Sequence, residues 1–254
     1  MELKVLGCHG GETPKHRTSS FLVNDRLAID AGALTNTLTL DEQQKIEAVV
    51  VSHAHMDHVR DLATIADNRC QQDGPPLIIA GTPATIGALR KHFFNDLLWP
   101  DFANIDTSQG PTIRWQMIHP EEPTVLAGLE IKPVLVSHTI ETAGFVVSDG
   151  TSSIAYSGDT GPTDRFWEVL REREDLRAIL MEVSFPSDQT DLAHVSGHHT
   201  PKTLAKELSK LPAEDIPVLL FHIKPVFQGP VERELAKIKR RNLNVLQLED
   251  QFLF

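Results

Sequence analysis

The run Val49-Val-Val-Ser-His-Ala-His-Met-Asp-His-Val-Arg-Asp-Leu62 sets three histidines and an aspartate, His53, His55, Asp57 and His58, within six residues. Neutral imidazole nitrogens and carboxylate oxygens are the donors that suit zinc, manganese or iron. Two histidines two positions apart reach one ion, and the Asp-His pair that follows reaches a second. A polar loop with chance histidines is the plainer alternative, yet His and Asp clustered this densely are rarely idle. The chemistry in prospect is metal-assisted.

Such residues need a rigid mount. Val49-Val-Val51 reads as a buried strand running straight into the cluster, so the side chains leave a strand end at a fixed point. Further short β-rich runs recur at 3–6, 21–29, 77–80, 129–136, 144–147, 154–157, 178–183 and 218–222, most of them bounded by turn residues. Helices are expected between them. Thr82-Pro83 supplies an N-cap and a first-turn proline ahead of Ile86, Leu89 and Phe93, and Thr200-Pro201 does the same ahead of Leu204, Leu208 and Leu211. Two more helices are expected over Thr163–Arg173 and Val231–Arg241. Strands dominating the first third and alternating with helices later suit sheets sandwiched between helical layers. The stretch 96–117 has a weak pattern and reads as an irregular excursion.

Bulk properties narrow the classes. A length of 254 residues at 41% hydrophobic composition supports one sizeable core, so a single domain over 1–254 is expected. A net charge of −11 argues against extended binding to a nucleic-acid backbone, which relies on clustered Lys and Arg, and leaves room for a small anionic substrate. The two cysteines, Cys8 and Cys70, form no disulfide framework and no repeated zinc spacing; they read as reduced thiols, in keeping with a soluble, cytoplasmic protein. No segment approaches the eighteen or so apolar residues of a membrane span.

The cluster resembles the His-x-His-x-Asp-His signature of the metallo-β-lactamase fold superfamily, which implies an αββα four-layer sandwich. Four further positions follow in that family's order: Asp30 in Ala28-Ile-Asp-Ala-Gly32, His138 in Val136-Ser-His-Thr139, Asp159 in Tyr156-Ser-Gly-Asp-Thr160 and His222 in Leu219-Leu-Phe-His-Ile223. Singly, each has a plain reading as a turn residue or a surface histidine; in this order, chance is a poor explanation. The resemblance implies His53, His55 and His138 on one metal ion and Asp57, His58 and His222 on the other, with Asp159 and a hydroxide between them. Asp57 thereby also counts among the catalytic residues. Asp30 would hydrogen-bond within the site without touching metal. Zinc is the expected metal, with manganese and iron sharing the ligand set.

The substrate must be read outside the metal ligands. Leu6-Gly-Cys-His-Gly-Gly11 with Ser20-Phe-Leu-Val, Met181-Glu-Val-Ser-Phe-Pro186, Val195-Ser-Gly-His-His-Thr-Pro201 and His222-Ile-Lys-Pro225 are similar to class II 3′,5′-cyclic-nucleotide phosphodiesterases and their bacterial relatives, a likeness spanning nearly the whole chain. It implies that Glu182 orients His198 and that His198 assists the leaving oxygen as a cyclic phosphodiester opens to a 5′-monophosphate. The plainer reading of this segment is a helix cap with His198 and His199 solvated. Lys224 either faces a phosphate or snorkels, and Phe185, Trp99 and Phe227 are the aromatic candidates for holding a base. The competing readings are an RNA-processing endonuclease of the same superfamily, a thioester, lactone or lactam hydrolase, and a non-catalytic metal-binding protein. A homodimer is the ordinary expectation for such an enzyme.

Overall fold

A computed structural model of the chain describes residues 1–254 except 212, 214 and 241. Its first half runs β1 (Glu2–Gly7), β2 (Ser20–Val23), β3 (Leu27–Ile29), α1 (Leu40–Lys45), β4 (Ala48–Val51), α2 (Met56–Val59), α3 (Leu62–Gln71), β5 (Leu77–Gly81), α4 (Pro83–His92), β6 (Asp106–Thr107), β7 (Gly110–Pro111) and β8 (Ile113–Met117). The second half runs β9 (Thr124–Leu126), β10 (Leu129–Val136), β11 (Thr142–Ser148), β12 (Ser153–Tyr156), α5 (Arg165–Arg171), β13 (Leu176–Glu182), α6 (Thr190–Val195), α7 (Pro201–Glu207), β14 (Val218–Phe221), α8 (Gln228–Leu235), β15 (Leu243–Val245) and β16 (Gln251–Leu253).

Two seven-stranded sheets result, ordered β16-β1-β2-β3-β4-β5-β8 and β15-β14-β13-β12-β11-β10-β9. Because strands alternate their side chains between faces, a strand buried on both sides needs apolar residues throughout. β4 follows that rule: Val50 enters the core between the sheets, while Val49 and Val51 meet the helices outside. The inter-sheet core draws Val5, Phe21, Ile29 and Val50 from the first sheet and Phe145, Val147, Tyr156, Leu180 and Phe221 from the second. A second core lies between the first sheet and α3 and α4 (Leu62, Ile65, Ile86, Leu89), and a third between the second sheet and α5, α7 and α8 (Phe166, Trp167, Leu204, Val231). Helices, sheet, sheet, helices: this is the αββα sandwich.

Several expectations need correction. The run 21–29 is a hairpin, not one strand: Asn24 and Asp25 take φ of 50° and 58°, the mirror-image turn that matches strand twist, and the Arg26 amide donates to the Val23 carbonyl at 3.1 Å. The last helix starts at Gln228 and stops at Leu235. Gly229 and Pro230 fall in its first turn, where a proline lacks only an N–H that has no helical partner; the expected end at Arg241 lies outside the described residues. The helix over 163–173 is trimmed to Arg165–Arg171. The stretch 96–117 contains β6, β7 and β8, and β8 pairs in parallel with β5 as the edge of the first sheet. The first third also carries α1 and α3. α3 was concealed because its buried stripe, Leu62, Ile65, Ala66 and Arg69, ends in an arginine.

Candidate active site

β3 and β4 of the first sheet run parallel, as do β12, β13 and β14 of the second. The carboxyl ends of such strands are where open α/β sheets place ligands. Asp30 follows β3, His53 follows β4, His138 follows β10, Asp159 follows β12, Glu182 ends β13 and His222 follows β14. His55 stands at the N-terminus of α2, which carries Asp57 and His58. Close backbone approach makes this assembly possible: a Cβ on Gly32 would sit 2.2 Å from the Asp57 carbonyl oxygen, and one on Gly10 would sit 2.4 Å from that of His222. His222 and Asp30 take φ of 69° and 58°, a left-handed backbone rare outside glycine and found where surrounding structure holds it in place.

The side chains converge. One donor atom each from His53, His55 and His138 lies within 4.8 Å of the others, and the same holds for Asp57, His58, Asp159 and His222. His53 Nε2 is 3.0 Å from His55 Nδ1, which is 3.2 Å from His138 Nε2. One Asp159 carboxylate oxygen lies between the two groups, 3.8 Å from His53 Nε2 and 3.3 Å from both His58 Nε2 and His222 Nε2. Asp57 is 3.3 Å from His222 Nε2.

Four of the five imidazoles are aimed from behind. His58 Nδ1 donates to Asp30 at 2.7 Å, His53 Nδ1 to the Ser52 hydroxyl at 3.0 Å, His138 Nδ1 to the Gly197 carbonyl at 2.9 Å and His222 Nδ1 to the Ser184 hydroxyl at 2.9 Å. With Nδ1 tied, the Nε2 lone pair faces the cluster. His58 Nε2 and Asp159 Oδ1 are buried and have no hydrogen-bond partner among the described residues. Buried polar atoms without partners are costly, and a cation is the partner that nitrogen and carboxylate donors at this spacing fit. Protonation tendencies agree at His53 and Asp159. Burial, reinforced by neighbouring histidines, holds His53 well below the usual imidazole range, the neutral form a metal requires. Burial opposes ionisation of Asp159, but the surrounding imidazoles outweigh it and hold the carboxyl well below its usual range. His58 moves the other way: against burial, the Asp159 and Asp30 carboxylates draw a proton onto it.

Beside this cluster, His198 Nδ1 donates to Glu182 at 3.0 Å. The His198 ring stacks on His222 at 5.2 Å and meets His138 edge-on at 5.0 Å. Glu182 is fully buried, also accepts the amides of Thr160 and His199 at 3.2 Å, and is pushed up to about 7 by burial. The solvated-cap reading fails here: His198 is 7% exposed and His199 fully buried, although Thr200 does cap α7. Lys224 extends over the Phe185 ring at 5.4 Å and donates to the Gly10 carbonyl at 3.3 Å, so it snorkels. Phe185 lies 5.7 Å from His198 and 5.8 Å from Phe227, whereas Trp99 packs on the outer helical layer and donates to the Ala63 carbonyl. Sequence reasoning missed Ser184 and Tyr156. Ser184 joins His222 to Glu182 Oε2 at 3.1 Å, and the Tyr156 hydroxyl donates to Asp30 at 2.6 Å. Both sit inside quoted motifs, but a lone hydroxyl carries no spacing pattern.

Residues 25–223 match the beta-lactamase superfamily domain. The chain belongs to that superfamily. Its members' fold and the gathered His and Asp residues make it a metal-dependent hydrolase. The superfamily relatives include a probable 3′,5′-cyclic-nucleotide phosphodiesterase of Yersinia pestis, 32% identical across 98% of this chain and 85% of that one. A 3′,5′-cyclic-nucleotide phosphodiesterase of Aliivibrio fischeri is 27% identical across 98% of this chain and 89% of that one. Among solved superfamily folds, unliganded yeast PDE1 superposes with a TM-score of 0.81 at 21% identity, covering 98% of both chains. No helix among the described residues is long and apolar enough to cross a membrane.

Proposed function

We propose that this hydrolase is a dinuclear 3′,5′-cyclic-nucleotide phosphodiesterase that yields a nucleoside 5′-monophosphate. The observation that carries the reading is the buried Glu182–His198 pair set against two groups of metal-ligating atoms. In this reading His53, His55 and His138 hold one divalent cation, Asp57, His58 and His222 hold the other, and Asp159 serves both. Zinc fits the imidazole-rich donors. When bound, the two cations would supply a water acidified toward neutral pKa and would neutralise charge developing on phosphorus.

The chain's own residues do the rest. Glu182 accepts the Nδ1 proton of His198 and leaves Nε2 to hold a proton toward the departing ribose oxygen. Ser184 donates to the other Glu182 oxygen, which helps to fix the carboxylate's orientation. Phe185 and Phe227, beside His198, offer an apolar wall on which a base would lie. Names given to relatives aligned over 98% of this chain support the cyclic nucleotide as substrate.

Turnover tests the reading. Zinc-loaded protein is expected to open cyclic AMP or cyclic GMP to the 5′-monophosphate, followed by chromatography. Failure to exceed a His53→Ala control on either nucleotide, with generic phosphodiesters or a lactone hydrolysed instead, would reject the substrate.

A further inference from the structure

Asp30 holds two of the site's imidazoles, and one of its hydrogen bonds comes from the opposite sheet. Its Oδ1 accepts the Ser52 amide at 2.7 Å; its Oδ2 accepts the Ser52 hydroxyl at 2.8 Å, His58 Nδ1 at 2.7 Å and the Tyr156 hydroxyl at 2.6 Å. With its own hydrogen given to Asp30, the Ser52 hydroxyl accepts from His53 Nδ1 at 3.0 Å. The ring orientations of His53, from one ligand group, and of His58, from the other, therefore both trace back to this one carboxylate.

Three of the four donors come from Ser52 and His58, which lie in the same half of the molecule as Asp30. Tyr156 does not. It ends β12 of the second sheet, next in sequence to the segment that carries Asp159, and its ring is fully buried in the inter-sheet core. There it stacks with Phe221 at 5.0 Å and Phe145 at 6.4 Å. A phenylalanine would fill that space equally well. The hydroxyl is a polar group carried into an apolar core, a cost recovered only through its bond to Asp30. It is the single tyrosine of the chain.

We propose that Tyr156 is a positioning residue for the metal centre: across the sandwich, its hydroxyl sets Asp30, and through it His53 and His58, in register with the ligands of the second sheet. The inference rests on the metal-holding role proposed for His53 and His58. Groups that orient metal ligands typically govern affinity by about 10- to 100-fold, so removing this hydroxyl should weaken both equivalents.

The test uses the full-length chain and Zn²⁺ titrated against a chromophoric chelator, with thermal unfolding of the metal-free protein alongside. Tyr156→Phe is expected to bind both equivalents about 10-fold more weakly, to alter the ligand-field absorption of bound Co²⁺, and to leave metal-free unfolding nearly unchanged. Phe145→Leu, which loosens the same aromatic stack without touching Asp30, is expected to unfold earlier yet keep parental Zn²⁺ affinity. Parental affinity in Tyr156→Phe would overturn the proposal, and so would an equal loss in Phe145→Leu, which would assign the effect to packing. A parent chain that binds no Zn²⁺ would overturn the metal reading and this inference with it, an outcome distinct from the other two.

Discussion

At the scale of single residues, the partners behind the imidazoles differ. His198 is tied through Nδ1 to a buried carboxylate, while His53, His138 and His222 are tied to a hydroxyl or a backbone carbonyl. A carboxylate behind an imidazole does not by itself mark an acid, since Asp30 backs His58 in the same way; what sets His198 apart is that it stands beside the two groups, outside the His53–His55–His138 and Asp57–His58–Asp159–His222 sets. His198→Asn is accordingly expected to lower kcat by about 10²- to 10⁴-fold while zinc content by elemental analysis stays at two per chain. Loss of one zinc equivalent would instead make His198 a ligand, an arrangement its nearness to His138 and Asp159 would permit.

At the scale of elements, what holds the ligand-bearing loops is often polar and hidden. Arg69 on α3 is 1% exposed; its guanidinium donates to the carbonyls of Gln43 at 2.9 Å and Ile46 at 2.6 Å, at the end of α1, and to Pro75 at 3.2 Å, ahead of β5. It ties together the approaches to β4 and β5. Arg69→Met keeps much of the side-chain volume but strips the Ile46 and Pro75 carbonyls of a charged donor, so a loss of about 3 kcal/mol in urea unfolding is expected. A loss under about 1 kcal/mol would show that water replaces the guanidinium. An arginine in an apolar stripe is also why this helix escaped the periodicity reading. β4 was legible for the opposite reason: both its faces are buried, so its residues are apolar throughout.

At the scale of the whole molecule, the proposed ligand set is divided between the sheets. His53, His55, Asp57 and His58 follow β4, and His138, Asp159 and His222 follow strands of the second sheet. A cation gripped by both binds the folded sandwich and not the unfolded chain, so it stabilises by mass action. Because the sheets share one inter-sheet core, we propose that they unfold together. Stripping metal with a chelator is expected to lower Tm by about 5–10 °C in a single calorimetric transition, reversed by added Zn²⁺. Two separated transitions would mean that the halves unfold independently.

What the sequence determined by itself was the chemistry at strand ends: donor-rich residues after apolar runs, with ligand character written in their types and local spacing. Sheets sandwiched between helical layers were legible for a related reason, since doubly buried strands and proline-led helices are local patterns, while the αββα class came from the resemblance. Local order does not specify which strand ends share an edge. Only the tertiary structure brought His53 and His138, 85 positions apart by their numbers, to within 5.0 Å between ring centroids. It also decided between the two readings of His198, setting it buried beside Glu182 instead of in a solvated cap, and revealed Ser184 and Tyr156 behind the site. A single hydroxyl acquires meaning only from the group it reaches, and that depends on how the two sheets close on each other.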